Sequence, residues 1–296
     1  MITGAGGQLA QELVRRAPGD AEIVALDRRG LDVTSYDRVQ ETLRAYGPDL
    51  VINTAAYTAV DAAEHDAATA YAVNAEAAGH LAAAAAGSRA RLIHISTDFV
   101  FDGRQGHPYR PEDPPNPLSV YGASKLAGER QVLEHSEGAA LVVRTAWVYS
   151  GHGRNFARTM LRLMAERDAL SVVTDQVSTP TWAGSLAEGL WQLARLPAVR
   201  GVHHLTDAGV ASWYDFAVAI REEALRLGLL DRRIPIEPVS SEQFQTAATR
   251  PAYSVLDKAP TWALIPAWPL RPWTVALRSM LAALVAEAVV CGGGQG

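Results

Sequence analysis

The chain has 296 residues, 48% hydrophobic and 20% charged, a composition typical of a globular protein with a large core. Its formal net charge of −5, without a basic run, argues against a nucleic-acid partner, because phosphate binding needs clustered positive charge. The longest apolar stretch, 277–290, contains Arg278 and Glu287 and is too short to cross a bilayer, so we predict no membrane partner. The single cysteine, Cys291, excludes an internal disulfide, and without a secretory signal we expect a cytoplasmic protein.

Short apolar runs alternate with helical patterns through the first half of the chain. The predicted strands lie at residues 22–27, 50–53, 91–95 and 140–144. The predicted helices lie at residues 8–16, 35–46, 67–86 and 120–134. This alternation indicates an α/β fold, a Rossmann-type doubly wound parallel sheet covered by helices on both faces. Ligands of such sheets bind at the carboxyl ends of the strands, so functional residues are expected there.

The second half continues with mixed elements and has no long linker. Its predicted helices lie at residues 155–167, 183–196, 213–227 and 274–290, and its predicted strands at 170–173, 202–205 and 234–237. We therefore predict a dinucleotide-binding domain at 1–148 and a smaller, interleaved C-terminal region at 149–290. That region is expected to bind mainly substrate, with some elements returning to the first domain, and 291–296 to form a disordered tail.

The first motif is a glycine-rich turn before the first predicted helix. Gly4, Gly6 and Gly7 allow a tight turn and let backbone N–H groups approach a pyrophosphate at the helix N-terminus. Asp27 follows about 20 residues later, where a carboxylate accepts ribose hydroxyls. Two departures weaken the pattern: only three residues precede Gly4, and Ala10 stands where a third glycine is expected.

The choice of dinucleotide stays open at this stage. Asp27 favours an unphosphorylated ribose, whereas Arg28 and Arg29 are suited to a 2′-phosphate. We favour NADPH, with NADH accepted.

Polar residues follow the later strands of the predicted sheet. Thr97 and Asp98 end the strand that begins at residue 91, where a hydroxyl can donate to a substrate carbonyl oxygen. Asp98 is expected either to accept sugar hydroxyls or to cap the following loop, and both readings stay open. The small residues at 53–56 either admit a dinucleotide or merely form a close strand-to-helix turn.

Tyr121 and Lys125 lie four residues apart on the helix predicted at 120–134, so they share one face. The chain has 27 basic residues, and only Lys125 and Lys258 are lysines, which suggests a point-charge role that arginine cannot fill. A nearby cation is expected to lower the tyrosine pKa from about 10 toward neutrality. The pair therefore predicts a proton donor and acceptor; the alternative is an ordinary amphipathic helix.

Arginines are the candidates for binding a substrate diphosphate, because a guanidinium binds it in bidentate fashion. Arg250 is the first candidate, followed by Arg154 and Arg158, and an interior ion pair of Arg250 is the open alternative. The eight histidines show no zinc spacing, so no metal site is predicted.

Together these motifs resemble the extended short-chain dehydrogenase/reductase family. The resemblance rests on the glycine-rich start, Thr97 and Tyr121-x-x-x-Lys125, with further blocks at 96–101, 117–129, 144–149, 155–162, 175–181 and 250–251. It implies a catalytic trio of Thr97, Tyr121 and Lys125, and substrate contacts from Thr97, Asp98 and Trp147. With the glycine motif, the expected cofactor contacts are Gly4, Gly7, Gln8, Leu9, Asp27, Arg28, Asp32, Val33, Ala56, Tyr57, Thr58, Tyr121 and Lys125.

The resemblance implies a reductase for the C4 ketone of a dTDP-4-keto-6-deoxysugar, with dTDP-4-dehydro-L-rhamnose as the first expectation. Tyr121 would protonate the developing alkoxide, Thr97 would donate to the same oxygen, and Lys125 would hold the nicotinamide ribose. A reductase for another such ketosugar and a non-catalytic regulatory subunit stay as alternatives. A dehydratase is disfavoured because Phe99 stands where that activity needs an acid. A homodimer is one expectation, and dependence on Mg2+ is open.

Overall fold

A computed structural model describes residues 1–292, which form an α/β fold around a parallel sheet. In chain order the strands are β1 (Ile2–Thr3), β2 (Ala25–Leu26), β3 (Leu50–Asn53), β4 (Arg91–Thr97), β5 (Leu141–Thr145), β6 (Val148–Tyr149), β7 (Leu170–Val173), β8 (Val177–Ser178), β9 (Thr181–Trp182), β10 (Gly201–His204), β11 (Ala211–Ser212) and β12 (Ile236–Val239). The helices are α1 (Gln8–Arg15), α2 (Tyr36–Tyr46), α3 (Val60–Ala63), α4 (Ala67–Tyr71), α5 (Ala77–Ser88), α6 (Val120–His135), α7 (Phe156–Glu166), α8 (Ala183–Ala194), α9 (Trp213–Arg226), α10 (Ala259–Leu264) and α11 (Trp273–Gly292).

The main sheet has six strands in the order β10-β5-β4-β3-β1-β2, and all of its pairings are parallel. The chain moves from β1 to β2 on one side and then returns to β3 on the other, so the strand order reverses between β1 and β3. This confirms the predicted doubly wound, Rossmann-type sheet. The carboxyl ends of β1 and β3 meet at this reversal, which is where such folds bind ligands.

Alternation within the strands places a core on each face of the sheet. Val51 and Leu92 pack with α2 and α5 on one face, whereas Ile52 and Ile93 pack with α1 and α8 on the other. Successive strand side chains point to opposite faces, so apolar runs of this kind suit a sheet covered on both sides. Each fully buried aliphatic side chain contributes about 2 kcal/mol to the free energy of unfolding.

The second half of the chain builds its own core and also completes the first. Strand β10 pairs with β5 in the main sheet, and Leu186 and Leu190 of α8 lie in the core that covers α1. A separate core formed by α7, α9 and α11 surrounds Phe216 and Met164. Strand β12 pairs in parallel with β7 beside it.

Three predicted elements differ from the structure. The helix predicted at 67–86 is divided into α4, a π-helical turn (Ala72–Glu76) and α5. The strand predicted at 22–27 retains only β2, because the residues before it lie outside the regular ladder. Helix α11 includes the first two residues of the predicted tail at 291–296, and the remainder of that tail lies outside the described residues. No helix in the described part of the chain is long and apolar enough to cross a membrane.

Candidate active site

A cleft of about 1200 Å³ lies at the carboxyl ends of β1, β3, β4 and β5. Thr97, Trp147 and all of the predicted cofactor contacts line it. These contacts are Gly4, Gly7, Gln8, Leu9, Asp27, Arg28, Asp32, Val33, Ala56, Tyr57, Thr58, Tyr121 and Lys125. Two of the residues predicted to bind substrate, Asp98 and Arg250, do not line it.

The glycine turn forms the end of the cleft beside α1. Gly4 has a φ of 74°, and a Cβ at this position would lie 2.8 Å from the backbone nitrogen of Ala55. Gly7 precedes α1, whose first N–H groups lack partners within the helix and therefore suit an anion in the cleft. Ala10, at the expected third glycine, is fully buried in the core beneath α1, so the departure is accommodated by packing.

The loop after β2 brings both kinds of ribose-recognition group to the same end of the cleft. The Asp27 carboxylate accepts from the backbone N–H groups of Arg29 at 2.9 Å and Gly30 at 3.0 Å, while Arg28 and Arg29 line the cleft beside it. Asp32 accepts from the hydroxyl and the N–H of Thr34, and these bonds lower the pKa of its carboxyl. The loop is therefore held by its own carboxylates.

The proposed catalytic residues converge where β4 meets α6. Ser119 caps α6 by accepting from the N–H of Gly122 at 3.1 Å, which places Tyr121 in the first turn of the helix. The Tyr121 ring packs edge-on against Phe99, with the ring centroids 5.8 Å apart. Thr97, at the end of β4, is close enough to the phenol to act on its pKa. The strand-end hydroxyl and the phenol thus meet in one wall of the cleft.

The pKa of Tyr121 is raised to about 12, opposite to the predicted direction. Burial is the main cause and the charge of Asp98 adds to it, whereas the hydrogen bond with Thr97 acts against it. The expected lowering by Lys125 is wrong here, because burial sets the direction and the opposing contribution comes from Thr97. At neutral pH the phenol keeps its proton, as an acid that donates to an alkoxide must.

Lys125 is buried on the next turn of α6. Its Nζ donates to the carbonyl oxygen of Ile95 at 2.6 Å and lies 3.4 Å from His94 Nε2. Burial lowers the pKa of Lys125 to about 8, and the charge of Glu129 partly opposes this shift.

Asn74, in the π-helical turn, holds the loop 56–58 in place. The sequence patterns did not predict this role. The Oδ1 atom of Asn74 accepts from the Tyr57 N–H at 2.8 Å, and its Nδ2 donates to the Tyr57 carbonyl and to Ser124 Oγ on α6. A Cβ at Gly128 would overlap the Asn74 carbonyl oxygen, so this glycine lets the two helices approach. A polar asparagine within an otherwise alanine-rich helix is the sequence feature that could have indicated a role for Asn74.

Thr145, at the end of β5, was also missed. It is buried, it lines the cleft, and its Oγ1 has no hydrogen-bond partner among the described residues. Buried hydroxyls are normally satisfied, so this orphan indicates a site that a polar ligand completes. Together with the glycine turn and the open N-terminus of α1, it makes the cleft suited to a nicotinamide dinucleotide.

Asp98 has a different environment from the one expected of a sugar-binding residue. Its buried carboxylate accepts from the hydroxyls of Thr97, Ser178 and Ser254. It does not cap the following loop, because Thr97 Oγ1 accepts from the Phe99 N–H instead. Burial raises the pKa of Asp98 to about 6 despite these hydrogen bonds. Asp98 therefore ties the end of β4 to the second half of the chain.

Arg250 forms an ion pair, as in the open alternative, but the pair is partly exposed rather than interior, with 45% of the Asp61 side chain accessible. Its guanidinium donates to both oxygens of Asp61, at 2.6 and 3.1 Å, and also to Thr246. Of the other two candidates, Arg158 donates to the Gly151 carbonyl, whereas Arg154 lines the cleft. Arg154 is thus the arginine best placed for a diphosphate.

Trp147 lines the cleft in a left-handed backbone conformation, with a φ of 44°. Its indole stacks on Trp213, with ring centroids 3.5 Å apart and planes 7° from parallel. Trp213 in turn donates to Gln176 at 3.2 Å. A non-glycine residue in this conformation is strained, so the stack holds a side chain that the backbone alone disfavours.

Among the described residues, no group of three or more histidine, cysteine, aspartate or glutamate side chains is arranged to hold a metal ion.

Comparison with known proteins shows a family and relatives that match nearly the whole chain. Residues 1–286 match the family described as the RmlD substrate binding domain. The dTDP-4-dehydrorhamnose reductase of Mycobacterium tuberculosis H37Rv is 46% identical over 290 residues, which are 96% of this chain and 92% of that protein. The probable dTDP-4,6-dihydroxy-2-methyloxan-3-one 4-ketoreductase of Streptomyces antibioticus is 44% identical over 280 residues, 94% of this chain and 92% of that one.

A solved structure shares the whole architecture. The crystal structure of dTDP-4-dehydrorhamnose reductase from Bacillus anthracis, in complex with NADP, has a TM-score of 0.89 to this chain at 35% identity. The alignment covers 95% of this chain and 98% of that one.

Proposed function

The chain belongs to the RmlD substrate binding domain family, and on that premise we propose that it reduces the C4 ketone of a dTDP-4-keto-6-deoxysugar with a nicotinamide cofactor. One observation supports this most directly. Thr97, Tyr121 and Lys125, from a strand end and one helix face, line a single cleft together with the glycine turn.

The roles of this trio follow from their positions. Tyr121 holds its proton at neutral pH and donates it to the oxygen that becomes the alcohol. Thr97, whose hydroxyl donates to Asp98 in the free protein, turns this donor to that same oxygen and stabilises its developing charge. Lys125, buried beside them, holds the ribose hydroxyls of the nicotinamide cofactor. When bound, the cofactor supplies the hydride.

Arg28 and Arg29 lead us to propose NADPH as the preferred cofactor, with NADH accepted. Both side chains line the cleft beside Asp27, and a guanidinium binds a 2′-phosphate in bidentate fashion. Titration of the protein with each cofactor checks this, and a double Arg28→Ser, Arg29→Ser variant should lose the preference without losing NADH binding.

The first proposed substrate is dTDP-4-dehydro-L-rhamnose, which would yield dTDP-L-rhamnose. A second candidate is another dTDP-4-keto-6-deoxyhexose, because a relative named as a 4-ketoreductase for a different dTDP-sugar is 44% identical. The test supplies each ketosugar with NADPH, follows NADPH consumption and determines the product stereochemistry by NMR. Consumption with neither sugar, while NADPH still binds, would instead favour the non-catalytic regulatory subunit.

The remaining expectations are part of the same proposal. Sugar contact by Trp147 should appear as a higher KM in Trp147→Phe. A homodimer in the cytoplasm is expected, and light scattering measures the assembly. Turnover with and without a chelator shows whether Mg2+ matters.

A further inference from the structure

Behind Lys125, a line of buried polar side chains crosses three strands of the main sheet. Thr3 Oγ1 on β1 donates to Asn53 Oδ1 on β3 at 2.7 Å. Asn53 Nδ2 lies 2.9 Å from His94 Nδ1 on β4. His94 Nε2 lies 3.4 Å from Lys125 Nζ on α6. All four residues are buried, so each donor needs an acceptor within the protein.

A backbone group settles which way the Asn53 amide points. The N–H of Ala55 lies 3.1 Å from the atom assigned as Oδ1, and a backbone N–H can only donate. This atom must therefore be the oxygen, and the hydroxyl of Thr3 donates to it as well. The amide nitrogen then faces His94.

The orientation of Asn53 determines the tautomer of His94. The amide nitrogen of Asn53 can only donate, so His94 Nδ1 must accept and carries no proton. A neutral imidazole then has its single proton on Nε2. A doubly protonated ring would place two donors against each other. In agreement, the pKa of His94 lies well below its ordinary value, through burial first and the charge of Lys125 second.

The Nε2–H group of His94 faces Lys125 Nζ. An ammonium has three donors and no acceptor, so its contact with Nε2–H cannot be a hydrogen bond. A neutral amine has a lone pair and can accept this proton. The carbonyl oxygen of Ile95 accepts from Nζ at 2.6 Å in either form.

We propose that His94 is a positioning residue of the reductase site: held as its Nε2–H tautomer by Asn53, it binds Lys125 through a hydrogen bond that only the neutral amine accepts. The role of His94 in catalysis rests on the proposed function, whereas its hydrogen bond to Lys125 does not. Ligand hydroxyls that reach Nζ supply new acceptors and favour the ammonium. At a pH above the pKa of Lys125 in the free protein, Lys125 then takes up a proton from solvent as the cofactor ribose binds.

The other charged groups around Lys125 act differently. Glu129 favours the ammonium, but Arg144 holds its carboxylate at 2.7 Å and so reduces its effect. Tyr121 stays neutral because its pKa is about 12. Asp98 is enclosed by three hydroxyls and has a pKa of about 6. Burial, partly opposed by Glu129, lowers the pKa of Lys125 to about 8. A hydrogen bond donated by His94 to the neutral amine should lower it further.

Lysine NMR tests the inference directly, because the full chain contains only Lys125 and Lys258 and therefore gives two signals. We expect the ¹³Cε signal of Lys125 to titrate below pH 8 in the unaltered protein, because His94 adds to the effect of burial. In His94→Leu, which removes the donor, it should titrate about one pH unit higher. Lys258 should not shift, and neither lysine should shift in His135→Gln, the matched control at an exposed histidine of α6. Identical titration of Lys125 in the unaltered protein and His94→Leu would overturn the inference.

A second measurement needs no variant that could fail to fold. In ¹⁵N-histidine NMR of the unaltered protein, the His94 ring should carry its proton on Nε2, and a proton on Nδ1 would reject the inference. Asn53→Asp keeps the acceptor for Thr3 and Ala55 but places an oxygen against Nδ1, so the ring proton should move there.

Neither measurement depends on turnover. A protein that shows the expected titrations but reduces no ketosugar would refute the proposed function and leave the role of His94 intact. A protein that reduces the ketosugar but whose Lys125 titrates identically with and without His94 would support the proposed function and refute the role of His94.

Discussion

The two walls of the cleft are built by different means. The wall at the ends of β1, β3 and β4 consists of turns and strand ends, such as Gly4 and the loop 54–58, whose backbone shapes the surface. The opposite wall is made of side chains such as Trp147, which Trp213 holds from a distant helix. Backbone turns are encoded locally, whereas a stacked pair depends on residues far apart in the chain. The first wall should therefore be sensitive to substitutions that alter the backbone turns. The second wall should be sensitive to substitutions of the distant residues that hold its side chains.

Tyr121, in the wall that includes the end of β4, should give the largest effect. Tyr121→Phe removes the proposed acid but keeps the ring against Phe99, so we expect turnover to fall by about 10³-fold. Cofactor binding should change little, and steady-state kinetics with a fluorescence titration of NADPH measures both. Tyr71→Phe, at an exposed tyrosine, serves as the control and should keep its turnover. Unchanged turnover in Tyr121→Phe would reject the assignment.

Asp98 tests the link between the first wall and the second half of the chain. Burial raises the pKa of Asp98 from 3.8 to about 6, so the folded state binds its proton more tightly than the unfolded state does. Its contribution to the free energy of unfolding is therefore fully present below about pH 4 and is lost as the pH rises through about 6.

Asp98→Asn does not titrate and should lack this loss. Relative to the variant, the unaltered protein should lose up to about 3 kcal/mol between pH 4 and pH 7. Urea unfolding of both proteins across this range measures the difference. A difference that is independent of pH, with a raised KM, would instead support the sugar contact expected from the sequence.

Gly4 tests the backbone wall. Gly4→Ala must adopt a φ of 74° and place a Cβ 2.8 Å from Ala55 N, so we expect a loss of about 2 kcal/mol in the free energy of unfolding and weaker cofactor binding. Gly6→Ala is the matched control, because no atom lies within 4 Å of a Cβ there. Equal stability of the two variants would show that the turn adapts.

Arg250 should give the smallest effect. Arg250→Lys loses the bidentate pair with Asp61, so the free energy of unfolding should fall by about 1 kcal/mol while KM stays unchanged. Arg154→Lys, at the arginine that lines the cleft, should do the reverse. A KM that rises in the first variant and not in the second would restore Arg250 as the diphosphate ligand.

Much of the fold and of the first wall could be predicted because the signals are local. Apolar runs placed the strands that begin at residues 50, 91 and 141 within one residue of their observed starts, and the glycine turn indicated where α1 begins. The spacing of Tyr121 and Lys125 was sufficient to place both on one helix face.

The other features depend on partners that no local pattern reveals. Asp98 and Arg250 have the chemistry of ligand-binding residues, but Ser254 and Asp61, each more than 150 positions away, use those groups within the protein. In the sequence Thr145 resembles an ordinary strand residue. The structure distinguishes it, because its buried hydroxyl has no hydrogen-bond partner among the described residues. The pKa of Tyr121 likewise depends on burial, which the local sequence does not reveal.

The π-helical turn at Ala72–Glu76 limits which single-residue deletions the chain can accept. A π-helical turn holds one residue more than an α-helical turn, so deleting one residue from it would restore regular α-helical winding and remove the wide turn that carries Asn74. Asn74 would then leave the loop that it clamps. In a scan of single-residue deletions, this stretch should tolerate none of them, although its half-buried Ala72 should accept substitution.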